Sequence, residues 1–472
     1  METRLLAHDY TFSYQTGGQP ELKHVFFNPD PGSFNLLVGP SGSGKSTLLK
    51  SLAGLLPPFG GEVLSGQVLL NGEAITTIAP FERAKRVAFL FQNPSRQFAM
   101  RTPIGQLTFA LENIQLPANE ITKRIEHAFT QLDIHQLAQR DLLTLSGGEK
   151  QKVALAATLA LGSSYILLDE PFASVDQSSR SHLLTMLKEL QTKAGKTIIL
   201  TDHDLSGYRD LVDQLYQIDS KGQLISLNPK KLVNEAPTAG AFLNHYQATG
   251  PLDWQQLSIT LGQRQLMKAN DFTLAQNQLG LLSGDNGVGK STFFNALTHQ
   301  RPYQGLVNWQ KKDSRRIAFK RWALTVGLVF QDASDQFVTL TLAEEIAFSK
   351  AHTRLPDYWT NQRIQAALTS LNLQPFQNHS LYQLSGGQQK KAQVLTMLIM
   401  GQPVLLFDEP LAGLDYDSIQ ALMRLIKATI QDNHLSGLMI SHQRAGLANF
   451  VDYELNLKHA NLTLNKGATN ET

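Results

Sequence analysis

The 472-residue chain contains no cysteine, which excludes disulfides and thiol chemistry and suits a reducing compartment. It also lacks any run of 18 apolar residues. The nearest stretch, Val153 to Leu168, is broken by Gly162-Ser-Ser and reads as a helix followed by a buried strand. No membrane-crossing helix is therefore expected, and if the protein serves transport, other subunits must supply the pore. Excess charge of one sign is missing too: 42 Lys and Arg face 40 Asp and Glu, for a net charge of +2. That balance gives no strong field for holding nucleic acid. One local basic run (Lys311, Lys312, Arg315, Arg316, Lys320, Arg321) reads as a solvated hairpin surface, with a site facing anionic lipid headgroups as the alternative. Behind Glu2 and Arg4 there is no apolar segment, so no signal peptide is expected.

What the chain does have, it has twice. Gly39-Pro-Ser-Gly-Ser-Gly-Lys45-Ser46 and Gly284-Asp-Asn-Gly-Val-Gly-Lys290-Ser291 both fit G-x-x-x-x-G-K-[ST]. Each follows an apolar run that reads as a strand, Phe34 to Val38 and Leu279 to Leu282. Downstream of each come Leu-Ser-Gly-Gly, an apolar run ending Asp-Glu-Pro, and a His. Position 331 lies 239 after 92, as 385 does after 146, 409 after 170 and 442 after 203. The register identifies a duplicated nucleotide-binding unit. The expected division is a first unit over 1–228, a Pro/Gly-marked linker over 229–252 and a second unit over 253–472, with 466–472 a polar tail. In each unit short apolar strands alternate with helical stretches, which predicts an α/β fold with a mainly parallel sheet. An antiparallel β add-on is expected over 62–91 and 305–330, and a helical subdomain over 102–160 and 341–399.

The motifs specify phosphate chemistry. Glycines in the loop let successive backbone N–H groups face phosphates at a helix N-terminus. The candidate ATP-binding residues are Gly39, Ser41, Gly42, Gly44, Lys45, Ser46 and Thr47, with Gly284, Asn286, Gly287, Gly289, Lys290, Ser291 and Thr292 in the second copy. Lys45 and Lys290 reach the β- and γ-phosphates, while Ser46 and Ser291 offer hydroxyl ligands to Mg²⁺. Asp169 and Asp408, at the tips of buried strands, are placed for the same ion. Glu170 and Glu409 are placed to polarise the attacking water, worth ~10²–10⁴ in rate. Gln92 and Gln331 read as sensors touching Mg²⁺ or the water. His203 and His442 read as γ-phosphate contacts. Leu-Ser-Gly-Gly opens a helix in each copy, with Ser146, Gly148, Ser385 and Gly387 as anion-binding candidates.

The set resembles the ATP-binding-cassette (ABC) ATPases, a P-loop NTPase family, over nearly all of both halves. In that family cassettes pair head to tail, within a chain or between chains. The resemblance therefore implies one site combining Lys45, Gln92, Glu170 and His203 with Ser385 and Gly387. The other would combine Lys290, Gln331, Glu409 and His442 with Ser146 and Gly148. Asp176 and Asp415 match the family's cross-interface Asp. Tyr14 matches its adenine-stacking aromatic, whereas Ile259-Thr-Leu-Gly has no aromatic.

Gln92-Asn-Pro-Ser-Arg-Gln97-Phe98 and Gln331-Asp-Ala-Ser-Asp-Gln336-Phe337 are similar to the Gln loops of energy-coupling-factor (ECF) transporter ATPases. That narrower likeness implies uptake of a vitamin or transition-metal ion. It also implies integral membrane partners, a scaffold and a substrate-binding protein, and a peripheral location on the cytoplasmic side of the cell membrane. The segments after Gln92 and Gln331, with Phe98, Met100 and Phe337, are the expected handles for those partners, the alternative being that these three fill local core. A tandem ATPase of a sugar importer is the alternative. A soluble ribosome-associated ABC protein is a more distant one, because the linker is short and the loops after Asp-Glu-Pro lack Asn-His.

Overall fold

The computed structural model describes residues 4–465 except 41, 173, 174, 176, 220, 233–243 and 445, and all their side chains but those of 96, 177, 178 and 231. Ser41, Asp176, the tail 466–472 and the middle of the expected linker lie outside the described residues. The chain divides into two compact units, Met1–Ala236 and Pro237–Thr472.

In the first unit a six-stranded sheet runs Leu224–Leu227, Gln214–Ile218, Phe34–Val38, Thr197–Thr201, Tyr165–Asp169, Val87–Leu90. Every neighbouring pair is parallel except the first. Tyr165–Asp169 and Thr197–Thr201 are buried at every position, which is why they read as unbroken apolar runs. Successive side chains point to opposite faces. Leu36, Ile166, Leu168, Ile198 and Leu200 pack with the helices Pro103–Asn113, Ala118–Leu132 and Gly147–Ala160. Leu37, Leu167 and Ile199 join a second core beneath an antiparallel sheet.

That antiparallel sheet corrects the expected add-on. Its order is Leu22–Phe27, Leu5–Ser13, Glu62–Leu70, Glu73–Ala74, so two N-terminal strands belong to it. Val87–Leu90, expected within it, pairs in parallel with Tyr165–Asp169 instead.

The second unit repeats the plan. Its main sheet runs Val326–Val329, Val404–Asp408, Ser436–Ile440, Leu279–Ser283, Tyr453–Lys458, Asn461–Leu464, and its antiparallel sheet begins with Arg264–Leu274 and Leu252–Leu261. The helices Leu342–Ala351, Asn361–Ser370 and Gly386–Met400 complete it. The register is matched at the root of each phosphate loop: Phe34 N donates to Asp213 Oδ2 and Leu279 N to Asp452 Oδ2, both at 2.8 Å. The end of the expected linker is built into this unit. His245 N donates to Asp452 O, and Gln278 Nε2 donates to His245 O. The basic run folds as expected of a surface turn, with Arg315 forked onto Asp313.

Candidate functional site

Each phosphate loop leaves the C-terminal end of a central strand and turns into a short helix, Lys45–Leu52 or Lys290–Leu297. The turn needs glycine. A Cβ on Gly39 would lie 2.4 Å from Ile218 O, and one on Gly284 2.4 Å from Leu457 O. Gly44 and Gly289 cap the helices in the left-handed region, with φ of 97° and 113°. Gly42 and Gly287 are left-handed as well. Lys45 Nζ donates to Gly39 O (2.8 Å) and Pro40 O (2.9 Å). Lys290 Nζ donates to Gly284 O (2.7 Å) and Asp285 O (3.0 Å). Both ammonium groups therefore curl over their own loops. Thr47 is buried, its hydroxyl 3.1 Å from the Tyr14 hydroxyl. Tyr14 itself is 47% exposed, and Leu261, at the end of the matching strand, is 52% exposed.

The acidic residues meet the loop at the strand tips. Ser46 Oγ donates to Asp169 Oδ1 at 2.9 Å, and so does Thr201 Oγ1. Burial, then the charge of Glu170, raises the Asp169 carboxyl, while the two hydroxyls oppose the rise. In the second unit Ser291 also bonds Asp408, but Ile440 stands where Thr201 does. Asp408 Oδ1 is buried without a hydrogen-bond partner. Burial, with Ser291 opposing and Glu409 adding to it, pushes this carboxyl up to about 6.

Glu170 and Glu409 follow with φ of 48° and 50°, a left-handed backbone that aims each carboxylate back along the site. Glu170 accepts from Gln92 Nε2 at 2.8 Å and contacts His203 Nε2 at 2.9 Å. Burial pulls the His203 imidazole down, but the charge and hydrogen bond of Glu170 outweigh it and the net shift is upward. Glu409 accepts from the backbone N–H of His442 at 3.2 Å, and His442 Nε2 lies 3.4 Å from its other oxygen. Burial raises Glu409, with Lys290 opposing. Among the described residues the Gln331 side chain makes no bond to Glu409.

Ser146 and Ser385 cap the helices Gly147–Ala160 and Gly386–Met400 through reciprocal bonds with Glu149 and Gln388. Gly148 and Gly387 lie in the first turns. Among the described residues, neither serine bonds to the Lys–Asp–Glu–His cluster of its own unit. Asp415 caps Tyr416–Asp432. Of the expected handles, Phe98 and Phe337 are half-buried and pack against the cores of their units, as the core alternative has it, while Met100 is exposed.

A family model described as "ABC transporter" matches residues 22–173 and 267–412. The chain belongs to the ABC transporter family. It is an ATPase with two ATP-binding cassettes. A Bacillus subtilis protein named "Putative HMP/thiamine import ATP-binding protein YkoD" is 29% identical, covering 97% of this chain and 90% of that one. A Lactiplantibacillus plantarum protein named "Putative ABC transporter ATP-binding protein" is 26% identical over the same shares. A chain in a model of ribosome-bound archaeal Pelota and ABCE1 matches with TM-score 0.69 at 20% identity, over 96% of this chain and 78% of that one, which shows the fold alone.

Three features of the cassettes escape motif reading. One is the Thr201 hydroxyl. Another is a brace beside His203: buried Arg180 donates to Asp202 Oδ2 (3.0 Å), Asp204 O (2.6 Å) and Ser206 O (2.6 Å), and Tyr208 OH donates to the same Asp202 oxygen (2.7 Å). The second cassette has Ile419, Ser441 and Leu447 at those three positions. The third is Lys390, buried beneath the Gln331 loop, where the first cassette has Gln151. Laying the two halves over each other residue by residue exposes all three.

Proposed function

We propose that this chain is the energy-coupling ATPase pair of an ECF-type importer for a vitamin or transition-metal ion. It works peripherally on the cytoplasmic face of the cell membrane with integral membrane scaffold and substrate-binding subunits. The observation that carries the ATPase chemistry is the twin cluster of lysine, Ser–Asp, and Glu–His around each phosphate loop. The importer reading is supported by end-to-end likeness to a protein named for HMP/thiamine import.

In each cassette the phosphates take the backbone N–H groups at the helix start, and Lys45 or Lys290 exchanges loop carbonyls for phosphate oxygens. Glu170 and Glu409 polarise the water, and His203 and His442 hold each glutamate and contact the γ-phosphate. The residues fit Mg²⁺: Asp408 Oδ1 is a buried, unpartnered carboxylate oxygen beside the Ser291 hydroxyl. Ser46, Asp169 and Gln92, with Ser291, Asp408 and Gln331, would hold the ion, which neutralises charge on the β- and γ-phosphates.

Membrane subunits dock beside the sensor loops, on residues other than Phe98 and Phe337. In the second cassette Val338 (68% exposed) and Leu340 (62%) stand out with Tyr382 and Phe348, and Leu381 N donates to Leu340 O. The first cassette shows Met100 and Leu143, with Arg101 paired to Asp141 at the position of Leu340. The two surfaces suit different partner segments. Val338→Asp with Leu340→Asp is expected to abolish co-purification with the membrane subunits and leave basal ATPase of the isolated chain intact. Full retention of the membrane subunits would refute the docking assignment.

A further inference from the structure

Lys390 is a charged side chain sunk into the second cassette, 6% exposed, on the helix capped by Ser385. Its Nζ donates to Phe330 O at 3.0 Å and Gln331 O at 2.6 Å, and lies 3.3 Å from Gln393 Oε1. Those carbonyls belong to the sensor loop leaving strand Val326–Val329. Gln393 adds a parallel tie: its Nε2 donates to Phe330 O (2.9 Å) and to Gln336 Oε1 (2.7 Å). The loop is thus fastened to one helix at 330, 331 and 336.

A buried ammonium is tolerated only where its donors are used and negative charge is close. Burial lowers the Lys390 amine to about 8, while Asp408, Asp332 and Glu409 oppose the fall. The same lysine therefore feels the charge of the site's carboxylates while it grips the loop carbonyls. In the first cassette, Gln151 is buried with its Nε2 unpartnered, and Ala154 stands in place of Gln393. There Gln97 Nε2 reaches Thr158 Oγ1, at 3.2 Å.

We propose that Lys390 is a positioning residue of the second ATP site. It clamps the Gln331 loop to the helix Gly386–Met400, so that sensor and helix move as one piece when nucleotide binds. This rests on the reading of Gln331 as the nucleotide sensor. It makes the cassettes unequal by construction: the second loop is tied to its helix by a lysine, and the described tie of the first to its helix runs between the neutral side chains of Gln97 and Thr158.

Amide exchange of the full-length, nucleotide-free chain, followed by mass spectrometry, tests the clamp. Lys390→Gln, which imports the first cassette's residue, should speed exchange across 330–337 by about tenfold and leave 91–98 unchanged. Lys390→Arg should restore most of the protection. In turnover assays Lys390→Gln should lower kcat by about threefold or more with KM for ATP within about twofold. If Lys390→Gln does not fold, Gln151→Lys supplies the test by slowing exchange across 91–98. Unchanged exchange at 330–337, or at 91–98 in the reciprocal variant, overturns the clamp. Faster exchange with unchanged kcat overturns the coupling to nucleotide. Intact exchange effects in a chain whose turnover ignores Gln331→Ala would instead sink the sensor reading alone.

Discussion

Asp408 sits where burial opposes its ionisation, and the consequence can be measured. Its carboxyl rises from the ordinary 3.8 to about 6. The folded state therefore binds a proton between those values that the unfolded chain has already lost. The sign follows: this group favours folding most below pH 3.8, and stability falls as pH climbs through about 6. Integrated over that interval, the cost of the charged form at pH 7 is about 3 kcal/mol. Asn has the same shape without the charge, though it removes a partner of Lys390. Asp408→Asn is thus expected to stabilise the nucleotide- and metal-free protein at pH 7 by ~1–3 kcal/mol, shifting the melting point ~2–4 °C per kcal/mol for a unit of this size. The gain should fade toward pH 4. The readout is unusually selective, since all four tryptophans (Trp254, Trp309, Trp322, Trp359) lie in the second unit and three are fully buried. Their fluorescence reports that unit alone. A variant less stable than the parent at pH 7, or a gain equal at pH 4.5 and pH 7, would refute the reasoning.

Four further outcomes follow from the same geometry. Ile440→Thr should restore to Asp408 the hydroxyl that Thr201 gives Asp169, shrinking the benefit of Asp408→Asn by ~1 kcal/mol; no change in that benefit would show that the hydroxyl does not reach. Glu170→Gln with Glu409→Gln should cut turnover by ~10²–10⁴ while ATP binding persists, and parental turnover would remove both glutamates from the water. His203 is raised above its unfolded value of 6.5, so its contribution is complete below that pH and is lost as pH rises through the folded value. His203→Gln should accordingly cost more melting temperature at pH 6 than at pH 8.5, and an equal cost at both would contradict the ion pair with Glu170. Tyr14→Ala should weaken ATP binding by roughly 1 kcal/mol in a Lys290→Ala background, and Leu261→Tyr should gain a similar amount in a Lys45→Ala background; titrations that show neither change would end the stacking assignment.

Much of this arrangement was legible in the sequence. The central strands carry their own signal, because burial on both faces leaves unbroken apolar runs ending in Asp, and the phosphate loops are confined to glycine by close backbone approach. The antiparallel sheet was less visible. Leu5–Ser13 pairs with Glu62–Leu70 across an intervening segment that holds two strands and the phosphate-loop helix, with register shifts that blur any period of two. Phe98 and Phe337 look exposed beside polar neighbours, yet the turn that carries them folds them inward. The electrostatic asymmetry lies in residues outside every motif: Thr201 against Ile440, Gln151 against Lys390. Its meaning depends on which carboxylate each one faces, which only three dimensions supply.

The Arg180–Asp202–Tyr208 brace also constrains how such a chain can diverge. Deleting Arg180 alone takes the counter-charge from the buried Asp202 carboxylate, costing ~3–5 kcal/mol, and deleting Asp202 alone leaves the buried guanidinium only the more exposed Asp204 as its carboxylate partner. Exchanging the group for apolar or small neutral residues together removes both charges and can be nearly neutral. The second cassette, with Ile419, Ser441 and Leu447, occupies that far side. Between the two solutions lies a valley of single substitutions that destabilise the loop carrying His203. The halves of this protein can therefore trade whole clusters but not individual residues, and a graft of His442's surroundings onto His203 will succeed only if all three positions are moved at once.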